Sequence, residues 1–583
     1  MRVILAVLLT IGMGTLPLLA GAAGETGKEE TPAVASGALA AAEKSKEAVK
    51  PENSAIESEI QDLRSLVEEQ RAELETQRSE LKAQLAASKS QQLKIEALEE
   101  KLGATSSEPE AALAAISSVV VPATPISSSA VRSSAPAANP AQKEDEEVSP
   151  LQFKIGSAYI TPVGFMDFTG VFRSHDGGSG IGTNFAGIPY GSNTFNNHLH
   201  EFRFSMQNSR IGFRVDAMVK GAHVIGYMES DYLGNNPGNV AVSSNSNTLR
   251  SRLYWVDVQK DKWEILGGQT WSLITPGRTG ISPLPGNIFF TQDIDVNYQA
   301  GLVWGRIPEL RFVLHPTNKI AFAVALDSPE QYVGGSAGGG TITFPTNLTG
   351  FSPTQLDNGG STVVLNTPNP APDFIAKLAL DPVSKFHFEV GGLVREFKVW
   401  NSLPQPAGTS FSKVGSGGFV NLNVELFKGF RLLTNNFWAD GGGRYIFGQV
   451  PDLIVRADDT LSPIKAASTV SGFEFTHRNS LLYAYYGGIY VYRNLALDTG
   501  GLNPIGYGIA TSAVQNRNIQ EETFGFNQTL WKDGKFGALN LMGQYSFLSR
   551  KPWATLDPSD AHLNMVFLNL RYTLPGSAPT LGK

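Results

Sequence analysis

From about Ile160 to Leu574 the chain alternates apolar and polar positions with a period of two. The clearest passage runs from Phe419 to Trp438, FVNLNVELF, KG, FRLLTNNFW, where Val420, Leu422, Val424 and Leu426 alternate with Phe419, Asn421, Asn423 and Glu425. That spacing sends the two sets to opposite faces of a strand. The Lys428-Gly429 pair then turns the chain back as a tight hairpin. The same alternation returns at Ile320, Phe322, Val324 and Leu326, at Phe386, Phe388 and Val390, and at Val566, Leu568, Leu570 and Tyr572. The parity flips once: Phe202, Phe204 and Met206 are even, whereas Ile211, Phe213 and Val215 are odd. A bulge or a new strand beginning at Ser209 would each do this, and the new strand is the preferred reading.

The connections sort into two kinds. Short turns near 220–221, 260–262, 315–318, 381–384, 428–429, 477–479 and 532–534 alternate with long Gly, Asn, Ser and Pro-rich loops near 174–197, 234–247, 272–296, 329–371, 401–415, 440–466, 494–515 and 549–562. Seven short turns and eight long loops predict about sixteen antiparallel strands, with both ends of the chain on the short-turn side. A soluble sandwich has no reason to sort its loops in this way. A barrel in an outer membrane does, because closure leaves no unpaired edge in lipid. The predicted fold is therefore an all-β transmembrane barrel over 151–575 with a tail at 576–583, wide enough for a water-filled lumen. Trp255, Trp263, Trp400, Trp438, Tyr485, Trp531 and Tyr572 lie near predicted strand ends, where an interfacial girdle would place them.

Ahead of the barrel the pattern changes. Residues 1–22 carry a charged start, an apolar core and a small-residue run, as a secretory signal does. Residues 23–53 read as disordered. From Ser54 to Leu102 the period becomes seven. Ile60, Val67, Leu74, Leu81, Ser88, Ile95 and Leu102 occupy position a; Ile56, Leu63, Gln70, Gln77, Gln84, Gln91 and Leu98 occupy position d. This predicts a coiled coil that joins copies of the chain, with the four successive d glutamines meeting one another in the seam. Residues 103–150, rich in Ala, Ser, Pro and Thr, read as a linker.

Composition narrows the function. Of 583 residues 60 are Gly, none is Cys and only 17% are charged, which suits a β-rich protein whose exterior is not wholly water. A net charge of -7 argues against a nucleic-acid partner. The absence of Cys excludes disulfides and thiolate chemistry.

The heptads, NSRIGF at Asn208 to Phe213, MESDYLG at Met228 to Gly234, LGGQTWSL at Leu266 to Leu273 and the closing LNLRYTLP resemble the trimeric outer-membrane porins, most closely the DcaP-like family. The resemblance implies a homotrimer, passive diffusion of solutes, a third external loop folded into the lumen, and no cofactor. It also implies contact with outer-membrane lipid and lipopolysaccharide, assembly by the barrel-assembly machinery, and a periplasmic coiled coil that could reach peptidoglycan. One departure is that the chain runs on through GSAPTLGK where such barrels commonly end in Phe.

Arg173, Arg210, Arg214, Arg250 and Arg252 have lumen-facing parity, with Glu229 and Asp231 inward beside them. A row of guanidiniums would make a graded path for anions. In the third loop Arg278 is expected to face Asp293 and Asp295 across the eyelet, setting up a transverse field. Asp293, Asp295 and Asn297 imitate the start of a calcium loop, but Tyr298 stands where the turn glycine belongs. No metal site is expected. The scattered His and the missing GxSxG and HExxH motifs argue against an enzyme, including a barrel phospholipase using His387. The remaining alternative is a structural tether from outer membrane to cell wall, or an adhesin, with the barrel as anchor. An adhesin needs a folded external domain, and these loops read as short and Gly-rich, so the channel is preferred.

Overall fold

The computed structural model describes residues 149–191, 194–234, 247–288, 291–335, 340–347, 370–401, 409–554 and 561–576. The signal, coiled-coil and linker expectations for 1–148 and the tail from 577 lie outside the described residues.

Sixteen strands form one closed antiparallel barrel. The first wall comprises β1 (Ala158–Arg173), β2 in two segments (Glu201–Ser205 and Arg210–Val219), β3 (Ala222–Asp231) and β4 (Arg250–Lys260). Next come β5 (Trp263–Trp271), β6 (Arg306–Thr317), β7 (Ile320–Asp327) and β8 (Asp373–Val383). The far wall holds β9 (Phe386–Asn401), β10 (Thr409–Phe427), β11 (Phe430–Asp440) and β12 (Lys465–His477). β13 (Ser480–Val491), β14 (Asn516–Asp533), β15 (Gly537–Pro552) and β16 (Ala561–Thr573) complete it. The barrel closes where β1 pairs with β16, from Phe165 opposite Thr573 to Arg173 opposite Met565. All seven short turns lie at one end and all eight long loops at the other, as the hairpin pattern requires. At the first short turn Lys220 and Gly221 both have positive φ (50° and 80°), the geometry that matches the twist of flanking strands.

Alternation fixes which side chains meet which medium. Val420, Leu432, Phe473, Phe524 and Leu568 point outward and are exposed, whereas Asn421, Asn423, Asn435, Glu389 and Glu521 are buried on the inner face. A closed barrel with an apolar exterior satisfies every ladder group and can cross a membrane. Two members of the expected girdle correct that reading: Trp255 and Tyr485 are 3% exposed and point inward, Trp255 stacking on Tyr227 at 5.4 Å. Period-two reasoning had left their face open, because both lie where either neighbour is apolar.

The parity flip in β2 is a bulge. From Phe165 to Thr169 β1 advances four residues while β2 runs five, from Arg210 to Ser205, and both β2 segments pair with β1. Ser209 fills the gap: its hydroxyl accepts from the Asp167 N–H at 2.9 Å and donates to the Asp167 carbonyl at 3.2 Å. A side chain thus replaces ladder bonds that the extra residue removes.

The long loops are more than Gly-rich connectors. The loop between β11 and β12 carries a hairpin (Leu453–Val455 with Leu461–Pro463), and the loop between β13 and β14 carries another (Asn494–Leu497 with Pro504–Tyr507). Ile446, Val450, Leu453 and Ile454 of the first pack into one core with Tyr507 of the second and with Val333 and Ile342 of the β7–β8 loop. Each such buried aliphatic side chain contributes roughly 1.5–3 kcal/mol.

Candidate functional site

The third long loop, 272–305, leaves β5, crosses the lumen and is fastened to the opposite wall. Several of its backbone N–H groups have no backbone acceptor, so wall side chains accept from them. Gly277 N–H donates to Glu389 of β9 at 3.1 Å, Ala300 N–H to Glu521 of β14 at 2.8 Å, and Gln292 N–H to the Tyr485 hydroxyl of β13 at 3.0 Å. Gly280 N–H reaches Asp381 of β8 at 2.9 Å. These acceptors come from the inward positions of period-two strands. None of them was legible as an anchor in the sequence.

The eyelet expectation is corrected here. Arg278 is buried and paired with Glu474 of β12 at 2.8 Å, not set against Asp293 and Asp295. Asp293 accepts the Thr291 hydroxyl, and burial pushes its carboxyl up to about 8, so at neutral pH it carries little charge. Asp295 accepts N–H groups of Thr183 in the first loop (3.2 Å) and Asn297 (2.8 Å). It is 1% exposed. These side chains staple loops together instead of opposing one another across open water.

The arginines named from parity do face inward, and each has a carboxylate. Arg173 pairs with Glu201 at 2.7 Å and donates to the Gly180 carbonyl of the first loop at 2.9 Å. Arg214 pairs with Asp216 at 2.8 Å, which also takes His223 at 3.0 Å. Arg252 bridges Glu229 (2.8 Å) and Asp231 (2.6 Å); Arg250 pairs with Asp231 at 2.8 Å, and Arg210 lies 3.6 Å from Glu229. The row is one of ion pairs rather than bare cations. Rigid Arg forks suit such bidentate matching.

Sequence reading missed the group that unbalances this wall. Arg306, the first residue of β6, lies over the rings of Trp271 and Trp304, 5.2 Å from each centroid, and has no ion pair among the described residues. Its Nη1 and the Trp304 Nε1 find no acceptor there. The Tyr298 hydroxyl of the third loop stands 3.5 Å from Arg210 and from Arg252. Around this point four guanidiniums (Arg210, Arg250, Arg252, Arg306) meet two carboxylates (Glu229, Asp231), an excess of two positive charges. The only signal in the sequence was an Arg closing a loop between Trp304 and a strand, which no periodicity flags.

This architecture has a counterpart among solved structures. The outer-membrane channel DcaP of Acinetobacter baumannii superimposes with a TM-score of 0.51 at 17% identity, covering 72% of this chain and 97% of that one. The fold is a porin's. An anion-selective porin from Comamonas acidovorans (TM-score 0.39, 11% identity, 71% of this chain and 99% of that one) and OprB of Pseudomonas putida (0.38, 11%, 71% and 94%) are similar in outline. No protein-family model and no curated protein sequence matches the chain.

Proposed function

We propose that this porin-type barrel is a homotrimeric outer-membrane channel through which small hydrophilic anions diffuse passively. The observation that carries the reading is the cation excess on the β2–β6 wall, with donors of Arg306 and Trp304 that find no acceptor within the described residues. Those two donors are shielded from solvent, so they act on a passing carboxylate or phosphate through the positive field of the cluster and not by direct contact. The aromatic faces of Trp271 and Trp304 hold the guanidinium in place by cation–π attraction. The paired arginines then set the local field without being consumed by the passing ion.

Orientation follows from the barrel's ends. Long loops face outward and short turns face the periplasm, and Ser149 at the start of the barrel donates to the Pro575 carbonyl on the short-turn side at 2.7 Å. On this reading the heptads expected over 54–102 serve on the periplasmic side and join copies of the chain.

The test is the reversal potential of purified protein in a planar bilayer under a KCl gradient. The parent prefers chloride, and Arg306→Gln reduces that preference while leaving every carboxylate paired; Arg214→Gln, removed from the cluster, moves it less. The preference fades with salt, since free ions screen fixed charges beyond about 10 Å at 0.1 M. A parent that prefers potassium, or an Arg306→Gln channel with an unmoved reversal potential, refutes the reading.

A further inference from the structure

Phe447, in the long loop between β11 and β12, holds a backbone conformation that its own side chain disfavours. Its φ is +48°, in the left-handed region where the Cβ of a bulky residue crowds the following carbonyl oxygen. Gly448 beside it also has a positive φ, 66°. A glycine at 447 would meet this turn without strain, so the backbone does not explain the phenylalanine. Its ring does. It stacks on the indole of Trp304 in the third loop, with centroids 4.4 Å apart and planes 20° from parallel. Strain of this kind persists where surrounding contacts over-determine it, and it gathers at functional sites.

The backbone of the same loop grips Trp304 as well. Trp304 N–H donates to the Tyr445 carbonyl at 3.0 Å, and Trp304 and Ile446 form a parallel β-bridge. The turn is braced in its own right: the Gln449 side-chain amide donates to the Phe447 carbonyl at 3.0 Å, and the Tyr332 hydroxyl of the β7–β8 loop donates to the Gly448 carbonyl at 2.6 Å. Phe185 of the first long loop meets the Phe447 ring edge-on at 6.3 Å. The first, third, β7–β8 and β11–β12 loops therefore meet at this turn. Trp304 is in turn one of the two rings against which Arg306 lies, 5.2 Å from its centroid. A flat ring stacked on the indole resists its tilting and so keeps its π-system turned to the cation.

We propose that Phe447 is a positioning residue for the channel's ion preference, its ring fixing Trp304 and, through Trp304, the guanidinium of Arg306. This role rests on the reading that the cation cluster selects anions, and adds that a long loop from the far wall sets where the Arg306 charge stands. Removing the ring leaves every charge in the lumen and changes only geometry. Freed from the indole, the guanidinium is drawn to the carboxylates of its own wall, Glu229 and Asp231, and its field is then cancelled locally.

Reversal potentials of the full chain are measured in a planar bilayer under a KCl gradient for Phe447→Leu, Phe447→Tyr, Arg306→Gln, the double variant Phe447→Leu/Arg306→Gln, and Ile454→Ala. Heat-modifiable gel mobility shows which barrels fold, and Phe447→Met stands in should Phe447→Leu fail. Phe447→Leu keeps an apolar group but no flat ring, and is expected to lose most of the chloride preference that Arg306→Gln loses. Phe447→Tyr restores the ring and keeps the parent's potential. The double variant matches Arg306→Gln, because the ring acts only through that cation. Ile454 belongs to the same loop and packs against Gly506 of the β13–β14 loop. Ile454→Ala loosens the loop core, so it lowers the melting temperature and leaves the potential where it was. Phe447→Leu at the parent's potential, Phe447→Tyr shifted as far as Phe447→Leu, a double variant shifted beyond Arg306→Gln, or an equal shift from Ile454→Ala each overturn the positioning role alone. An Arg306→Gln channel at the parent's potential overturns the anion reading and the positioning role together, which tells the two failures apart.

Discussion

Arg278 and Glu474, 196 positions apart in the chain, form a buried ion pair at 2.8 Å that fastens the third loop to β12. Tyr485 also donates to Glu474 at 2.9 Å, so the carboxylate is held from two sides. Removing one partner of such a buried pair costs about 3–5 kcal/mol, because the other charge is left uncompensated. Arg278→Gln should therefore loosen the loop without unfolding the barrel, since Glu389 and Glu521 still hold it. Single-channel recordings should show larger and noisier currents. Currents identical to the parent's would mean that the pair does not set the loop's position.

The same loop should respond to pH through Asp293. Burial raises its carboxyl to about 8, so the seated loop binds a proton that the released loop, with an ordinary carboxylate near 4, does not. Asp293's own contribution to the seating is accordingly full below about pH 4 and is lost progressively as pH rises to about 8. Current noise should increase between pH 6 and pH 9, and Asp293→Asn should flatten that dependence. A variant with the parent's pH profile would assign the effect elsewhere.

Deleting 54–102 should lower the melting temperature of the oligomer while leaving the barrel's heat-modifiable mobility intact. Thermal ramps followed by native gels measure this. An unchanged melting temperature would remove the heptads from the assembly.

A protease site inserted in the β7–β8 loop, between 348 and 369, should be cut on intact cells. One placed at 532–534, in the short turn between β14 and β15, should be cut only after the outer membrane is breached. The reverse pattern would invert the barrel.

Strand number and facing were readable because they depend on local alternation: Leu422 and Leu432 declare their side within a few residues of themselves. The β2 bulge was visible as a flip between Met206 and Ile211, but its nature was not, since it depends on which β1 residues lie opposite. The partners of Arg278 and Asp295 were unreadable for a related reason. Parity gives a face, and a loop crossing a lumen chooses partners by three-dimensional reach. Arg306 was missed because its importance lies in the rings of Trp271 and Trp304, brought together by the third loop.

The way the chain enters the barrel has a mechanical consequence. Before β1 begins, Phe153–Ile155 folds back on Ala158–Ile160 as a three-pair hairpin, and Ser149 is tied to Pro575. A pull on the chain from the N-terminal side loads the Ser149 bond first and then unzips the hairpin rung by rung, since its strands are antiparallel and meet the load one at a time. The seam between β1 and β16 feels the force only after those rungs are spent. The hairpin is thus placed to open before the closure of the wall is stressed.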